Sequence, residues 1–381
     1  MIQPQAPRRL VLLGAGHAHV EVLRQFARRP VPKATLTVIT PTARVPYTGM
    51  APGVVSGRYS IDEASIDAAA LTAAAGGALI TAKADAIDRQ ARVIRTSDGE
   101  NVGYDFLSVD IGGVVEASFP GADDKAGGGL LLIGVKPAEA FLAAVASASP
   151  DAQREPIIIA GAGYGGVELA GALARRGATV TLATGTGGLA PKAPKKARRR
   201  IHRHLRRLGV DIALGARVVG GRTTEKGETL VALDNGETLP ASLIVLATAV
   251  TPSPLLASVP ELTDGTGFLR VNAYLQCAGD QSIFAAGDCA SFASADDGCS
   301  LPKAGVYAVR QGPILAHNLR AAMIGGRKRW FDAQEKALAI LSFYPAGAIA
   351  IRGGIFIDSP LVDVAKTLID RRFVSRYRVR P

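Results

Sequence analysis

The stretch Leu10-Val-Leu-Leu-Gly-Ala-Gly-His-Ala-His-Val-Glu-Val-Leu-Arg-Gln-Phe26 decides the fold. A short apolar run, Leu10–Leu13, leads into Gly14-Ala15-Gly16 and then into a helical pattern ending at Phe26. The same logic returns further along. Ile157–Ala160 leads into Gly161-Ala162-Gly163-Tyr164-Gly165-Gly166, then a helical pattern to Arg176 that Gly177 stops. Each helix is followed by another apolar strand, Thr35–Ile39 in the first case and Thr179–Leu182 in the second. Two β-α-β units predict an α/β chain with two Rossmann-like domains, each on a parallel sheet.

The glycines have separate tasks. The first allows a tight turn, the second lets backbone approach a diphosphate, and the third lets helix and strand pack closely. The helix start then offers free N–H groups and a positive dipole to phosphate. The second unit is complete, with Gly161, Gly163 and Gly166; the first has Gly14 and Gly16, but His19 replaces the third glycine. Predicted phosphate-side residues are Gly14, Ala15, Gly16, His17 and Ala18, and then Gly161, Gly163, Tyr164, Gly165 and Gly166. An acid about 20 residues on usually binds the ribose hydroxyls. Here Thr40, with Pro41, and Thr184 stand at those strand ends. Lys192, Lys195 and Lys196 follow Thr184 and could supply cations to a 2′-phosphate, or form a solvated basic face.

The rest fits around these units. Ile61–Ala75 reads as a helix, and Ala84–Ile94 and Val102–Asp110 as a meander turning at Asp98-Gly99. Asp234-Asn235-Gly236 between Thr229–Leu233 and Glu237–Leu239 is a hairpin signal. Leu243–Ala247 reads as a buried strand and Lys303–Met323 as a long helix. The expected boundaries are 1–150 with 277–325 for the first domain, 151–276 for the second, and 326–381 for a small α+β module.

Composition narrows the function. The net charge of +11 draws anions, whether nucleotides or acidic lipid. Lys192–Arg207 lacks the interleaved aromatics of a nucleic-acid surface, so no nucleic acid is expected. Cys277, Cys289 and Cys299 have no C-x-x-C spacing, and no His/Cys cluster has metal-ligand spacing, so no metal is expected. The thiols read as buried and inert, in a reducing, cytoplasmic compartment. Leu341–Ile357 is apolar but broken by Gly, Pro and Arg352, so it is not a membrane span.

Ser282-Ile-Phe-Ala-Ala-Gly-Asp-Cys-Ala290 resembles the second flavin motif of the pyridine nucleotide-disulfide oxidoreductase superfamily. There the aspartate, here Asp288 after Gly287, binds a ribityl hydroxyl of FAD. Lys303-Ala-Gly-Val-Tyr-Ala-Val-Arg-Gln311 resembles the helix whose start faces the flavin ring, which brings in Lys303 and Ala304. Leu246-Ala-Thr-Ala-Val-Thr-Pro252 is similar to an A-T-G-x-x-P turn, with Ala249 in place of glycine. Ala84 and Gly112 complete the expected cofactor contacts. Gly161–Leu173 is similar to the NADH motif of type II NADH dehydrogenases. Gly16–Phe26, Pro46–Gly57 and Leu368–Phe373 resemble a type II NADH dehydrogenase-like subfamily, sometimes fused to selenide, water dikinase; no kinase segment is expected here. The C-x-x-x-x-C disulfide of other branches is absent.

The resemblance implies FAD as cofactor and NAD(P)H as co-substrate. Hydride would pass from nicotinamide to flavin, and electrons onward to an acceptor, with a quinone favoured. Glu168 matches a glutamate near the nicotinamide; otherwise it is an acid on a helix dipole. Lys303 would stabilise charge on the flavin, or be solvated. His17 and His19 read as helix-start packing. Ser359-Pro360 starts a basic amphipathic helix in which Leu361, Val364, Ala365, Leu368 and Ile369 share a face, with Lys366, Arg371, Arg372, Arg376, Arg378 and Arg380 adding charge. It lies either on an anionic membrane or on its own protein. The rival readings are a soluble flavin reductase, a sulfide:quinone-type enzyme acting on sulfur or selenium compounds, and a flavin-bound redox sensor. A homodimer is open.

Overall fold

The computed structural model describes residues 6–116, 131–147, 156–224, 229–292, 301–334 and 336–379. Cys299 and Arg380 lie outside the described residues. The described residues form eight α-helices: α1 (His17–Arg28), α2 (Ala51–Val55), α3 (Ala68–Ala74), α4 (Ala138–Ser147), α5 (Tyr164–Arg175), α6 (Lys195–Arg207), α7 (Gly305–Ile324) and α8 (Pro360–Arg376). The class is α/β, as the paired glycine turns predict.

An eight-stranded sheet runs Ala290–Phe292, Leu269–Val271, Gln276–Cys277, Asp280–Ala285, Phe106–Val109, Arg8–Leu13, Ala34–Thr40, Ala78–Thr81. Its pairs are parallel except on either side of Gln276–Cys277. Leu10–Leu13 sits between two parallel neighbours, with every side chain essentially buried. That is why it reads as a continuous apolar run rather than an alternating one. Helices α1 and α7 pack together at Gly312, where a Cβ would stand 2.8 Å from Glu21 Cβ.

A five-stranded parallel sheet runs Leu131–Gly134, Leu243–Leu246, Pro156–Ala160, Thr179–Ala183, Asp211–Ala213. Leu131–Gly134 pairs in this second sheet, and Leu269–Val271 pairs in the first. Neither strand carries a glycine motif, so nothing local announces which sheet it joins. Small antiparallel sheets form from Ala84–Asp88, Val93–Thr96 and Asn101–Gly103, and from Ala339–Ser342, Ala348–Arg352 and Ile355–Ser359.

Two expectations are corrected, and one left open is settled by packing. Only Ala68–Ala74 of the expected helix 61–75 is helical: Ser65–Asp67 pairs with Arg44–Pro46, and the Asp67 carboxylate caps α3 by accepting from Ala70 N. The last strand of the expected meander, Phe106–Val109, leaves it for the centre of the main sheet. Helix α8 turns its polar side inward. Asp363, Asp370, Phe373 and Val374 are buried, whereas Leu361 is 77% exposed and Leu368 64% exposed.

Candidate functional site

A cleft of about 300 Å³ opens where the main-sheet strands end. It lies at the carboxyl ends of the strands, where α/β sheets bind ligands. Of the predicted residues, Gly14, Ala15, Gly16, His17, Thr40, Pro41, Ala84, Gly112, Gly287 and Asp288 line it. Gly305 and Ala308, at the start of α7, close one side. Both helix α1 and helix α7 therefore present their N-termini to it.

The glycines here are sterically required. Gly14 has φ +85°, and a Cβ on it would lie 2.4 Å from the Asp110 carbonyl oxygen. A Cβ on Gly16 would lie 2.4 Å from the Asp110 carboxyl carbon. Gly287 has φ +70°, and its N–H donates to Gln311 Oε1 at 2.7 Å, so α7 holds the second motif's turn in place.

Asp110, which follows the strand Phe106–Val109, was not singled out from sequence. Its carboxyl accepts from Ala18 N at 2.8 Å and His19 N at 3.0 Å, so Ala18 acts through Asp110 rather than lining the cleft. Burial pushes its pKa up to about 6, against the pull of those two N–H groups. The available signal was an acid ending an apolar strand just before Gly112-Gly113. Lys136, also missed, donates to Asp288 Oδ2 and lines the cleft.

His17 packs edge-on to Tyr47 with ring centroids 5.4 Å apart, and its buried Nε2 has no partner. Burial lowers its pKa, while Asp110 and Asp288 oppose the shift. His19 has both ring nitrogens engaged: Nδ1 with the Gly14 carbonyl at 2.6 Å and Nε2 with Ser108 Oγ at 2.8 Å.

Lys303 does not line the cleft. Its ammonium donates to Ala290 O at 2.6 Å and sits 3.7 Å from the centre of the Phe268 ring. The expected stabilisation of flavin charge by that ammonium is not what this geometry offers; Ala304 is the N-cap of α7, and the helix start itself faces the cleft.

The second glycine turn is open. A Cβ on Gly163 or Gly165 would meet nothing within 4 Å, so approach from outside is free. Gly161 (φ +111°) and Gly166 are crowded instead: a Cβ on Gly166 would lie 1.9 Å from the Gly161 carbonyl oxygen. Tyr164 is the first residue of α5. Ala249 is exposed in the loop after Leu243–Leu246, and the Ala247 carbonyl presses on Gly161. Thr184 is buried.

Glu168, on α5, lies away from the main cleft. Its Oε1 accepts from Ser342 N at 3.0 Å, and it borders a small cavity with Ser56, Arg58, Lys366 and Asp370. Burial raises its pKa, opposed by the Lys366 ammonium. Lys366 donates to Gly49 O at 2.9 Å and to Asp370 at 3.1 Å. Burial alone would lower its pKa, but Glu168 and Asp370 hold it raised. Thr48, beside Gly49, lines the main cleft, so the two cavities adjoin.

Cys277 and Cys289 are free and buried. Burial pushes the Cys289 thiol up to about 12 and raises Cys277 as well. Among the described residues no His/Cys/Asp/Glu group could hold a metal, and no helix is long and apolar enough to cross a membrane.

The residues fit FAD: two helix N-termini and a sterically required glycine turn for diphosphate, and Asp288 for a sugar hydroxyl. The sequence pattern of the pyridine nucleotide-disulphide oxidoreductases matches residues 8–318. An NADH dehydrogenase-like protein of Mycobacterium tuberculosis is 27% identical over 312 residues, covering 77% of this chain and 75% of that protein. The demethylphylloquinone reductase of Synechocystis is 28% identical over 285 residues, covering 73% and 67%. The NAD-dependent persulfide reductase of A. fulgidus superposes with a TM-score of 0.76 at 24% identity, over 90% of this chain and 64% of that one. The sulfide:quinone oxidoreductase of Aquifex aeolicus superposes at 0.73 with 18% identity, over 97% and 91%. The chain belongs to the pyridine nucleotide-disulphide oxidoreductase family and is an FAD-dependent NAD(P)H oxidoreductase.

Proposed function

We propose that this protein passes electrons from NAD(P)H to a quinone taken from an anionic membrane surface. Bound FAD supplies hydride acceptance from nicotinamide and electron delivery to the acceptor. The chain's own residues do the rest. The N–H groups of α1 and the start of α7 hold negative charge in the main cleft. Asp288, steadied by Lys136, orients the flavin's sugar chain. The open turn Gly161–Gly166 receives the nicotinamide nucleotide.

The observation that carries the quinone reading is the inverted polarity of α8. It exposes Leu361, Val364, Leu368 and Ile369 beside Ile355 and Ile357. Arg371, Arg372 and Arg376 are exposed along the same helix. An apolar ridge with flanking cations suits an anionic lipid surface, each near-surface cation contributing on the order of 1 kcal/mol. Beneath the ridge lie Glu168, Lys366 and Asp370, at the small cavity that adjoins the main cleft. Quinone reduction consumes protons. A buried glutamate whose pKa is raised, beside the ammonium of Lys366, is a suitable donor pair. The demethylphylloquinone reductase among the relatives supports this reading. The sulfur-based rival is weaker, because buried, protonated Cys277 and Cys289 are poor nucleophiles.

The test is a quinone panel with anaerobically reduced protein. Quinones should reoxidise it, and a Leu361→Ser/Val364→Ser/Leu368→Ser variant should lose several-fold turnover with vesicle-embedded quinone while keeping its rate with a water-soluble one. A reduced protein that no quinone reoxidises ends the reading.

A further inference from the structure

The second glycine turn says which nucleotide it prefers. The inference rests on the reading above, that this turn receives the electron donor. A carboxylate at the end of the second strand of such a unit holds the ribose hydroxyls and repels a 2′-phosphate. Thr184 occupies that place, and its hydroxyl is already used: it accepts from Gly215 N at 2.9 Å and donates to Gly185 O at 3.2 Å. It therefore offers a 2′-hydroxyl little and a 2′-phosphate no repulsion.

The surroundings are basic. Residues 169–210 contain 11 Lys and Arg and not one Asp or Glu. The loop after Thr184 is tied back to the glycine turn, since Ala190 N donates to Ala162 O at 2.8 Å. Two arginines stand at its two ends. The stem of Arg217 lies 3.4 Å from where a Cβ on Gly185 would be, so its exposed guanidinium reaches the ribose side of the loop. Asp234 holds that guanidinium through Nε at 2.9 Å, which leaves its terminal nitrogens for a ligand. Arg198 donates through Nε to Ala193 O at 2.8 Å and acts electrostatically on Tyr164, the first residue of α5. Lys192 is exposed between them in the loop.

We infer that the physiological donor is the 2′-phosphorylated dinucleotide, NADPH, with Arg217 and Arg198 as the residues that set the preference. Hydride transfer is the same for either nucleotide; only the ground for discrimination differs. A charge-assisted contact present for one nucleotide and absent for the other corresponds to roughly 10- to 100-fold in kcat/KM. Because Arg217 is exposed and Arg198 only half-buried, the preference shrinks as salt shortens the range of their field.

Anaerobic flavin bleaching in a stopped flow tests this without any acceptor. NADPH should reduce the flavin at least tenfold more efficiently than NADH, and less so in high salt. Arg217→Gln and Arg198→Gln should each lower the NADPH rate several-fold more than the NADH rate. Thr184→Glu should invert the preference. Calorimetry gives a readout apart from turnover: 2′,5′-ADP should bind more tightly than 5′-AMP. Equal rates, or faster reduction by NADH, overturn the proposal and leave the oxidoreductase reading standing. A flavin that dithionite bleaches but neither nucleotide does removes both.

Discussion

His19 stands where the glycine pattern leaves room for no side chain. It is tolerated because its ring reaches back rather than across. The Gly14 carbonyl can only accept, so Nδ1 carries the proton, and Nε2 accepts from the Ser108 hydroxyl. The imidazole thus ties the glycine turn to the strand Phe106–Val109, and burial lowers its pKa to about 4. Asp110 next to it is shifted the other way, up to about 6. The two groups act oppositely on stability in acid. His19 contributes stability above its unfolded value of ~6.5, and this is lost as pH falls towards 4. Asp110 contributes stability below its unfolded value of ~3.9, and this is lost as pH rises through 6. In flavin-free protein, Asp110→Asn should therefore gain thermal stability relative to wild type as pH rises from 4 to 7. A constant difference in Tm across that range would contradict the assignment. The glycines were readable from sequence because their spacing is local. Asp110 and Lys136 were not, since they reach the cleft from the ends of other segments and share no spacing with the motif. Lys303 was placed on the right segment, but nothing in its sequence foretold that Phe268 and the Ala290 carbonyl would draw its ammonium aside.

Helix α8 shows what an amphipathic pattern leaves open. Its start was legible, and Ser359 does cap it, accepting from Leu361 N at 3.2 Å. Its apolar stripe was legible too. Which side faces the protein was not, because the deciding partner is Arg58, far away in the chain. Arg58 grips both carboxylate oxygens of Asp363 at 2.8 Å, donates to Thr367 Oγ1 at 2.6 Å and lies 4.5 Å from the centre of the Tyr344 ring. A polar face secured in this way leaves the apolar one outside. Removing one partner of a buried pair strands the other, at a cost of ~3–5 kcal/mol. Arg58→Met should accordingly destabilise the fold by about that much in urea titration, with α8 protected least in hydrogen exchange. A loss under 1 kcal/mol would mean that the pair does not fasten the helix.

At the scale of the whole molecule, the two glycine turns belong to different sheets and can be disabled one at a time. A methyl group on Gly166 collides with the Gly161 carbonyl, and one on Gly16 collides with the Asp110 carboxyl. Gly166→Ala should keep its yellow flavin and lose bleaching by NAD(P)H, with dithionite still effective. Gly16→Ala should emerge colourless. The opposite pattern in absorbance spectra would reverse the assignment of the turns. The strands that bear a motif were legible in the sequence, whereas Leu131–Gly134 and Leu269–Val271, which bear none, were not. Parallel pairing is fixed by distant neighbours, and an apolar strand carries no address for them.

The family's name joins two chemistries, and this chain has the equipment for one of them among its described residues. Cys289 is sealed beneath the cleft, with its sulfur directed at the carbonyls of Val109 and Ala286. Cys277 is equally enclosed. Among the described residues, electrons arriving at the flavin find no exposed thiol to receive them. Electrophiles and peroxides that silence thiol-based reductases would pass these two residues by.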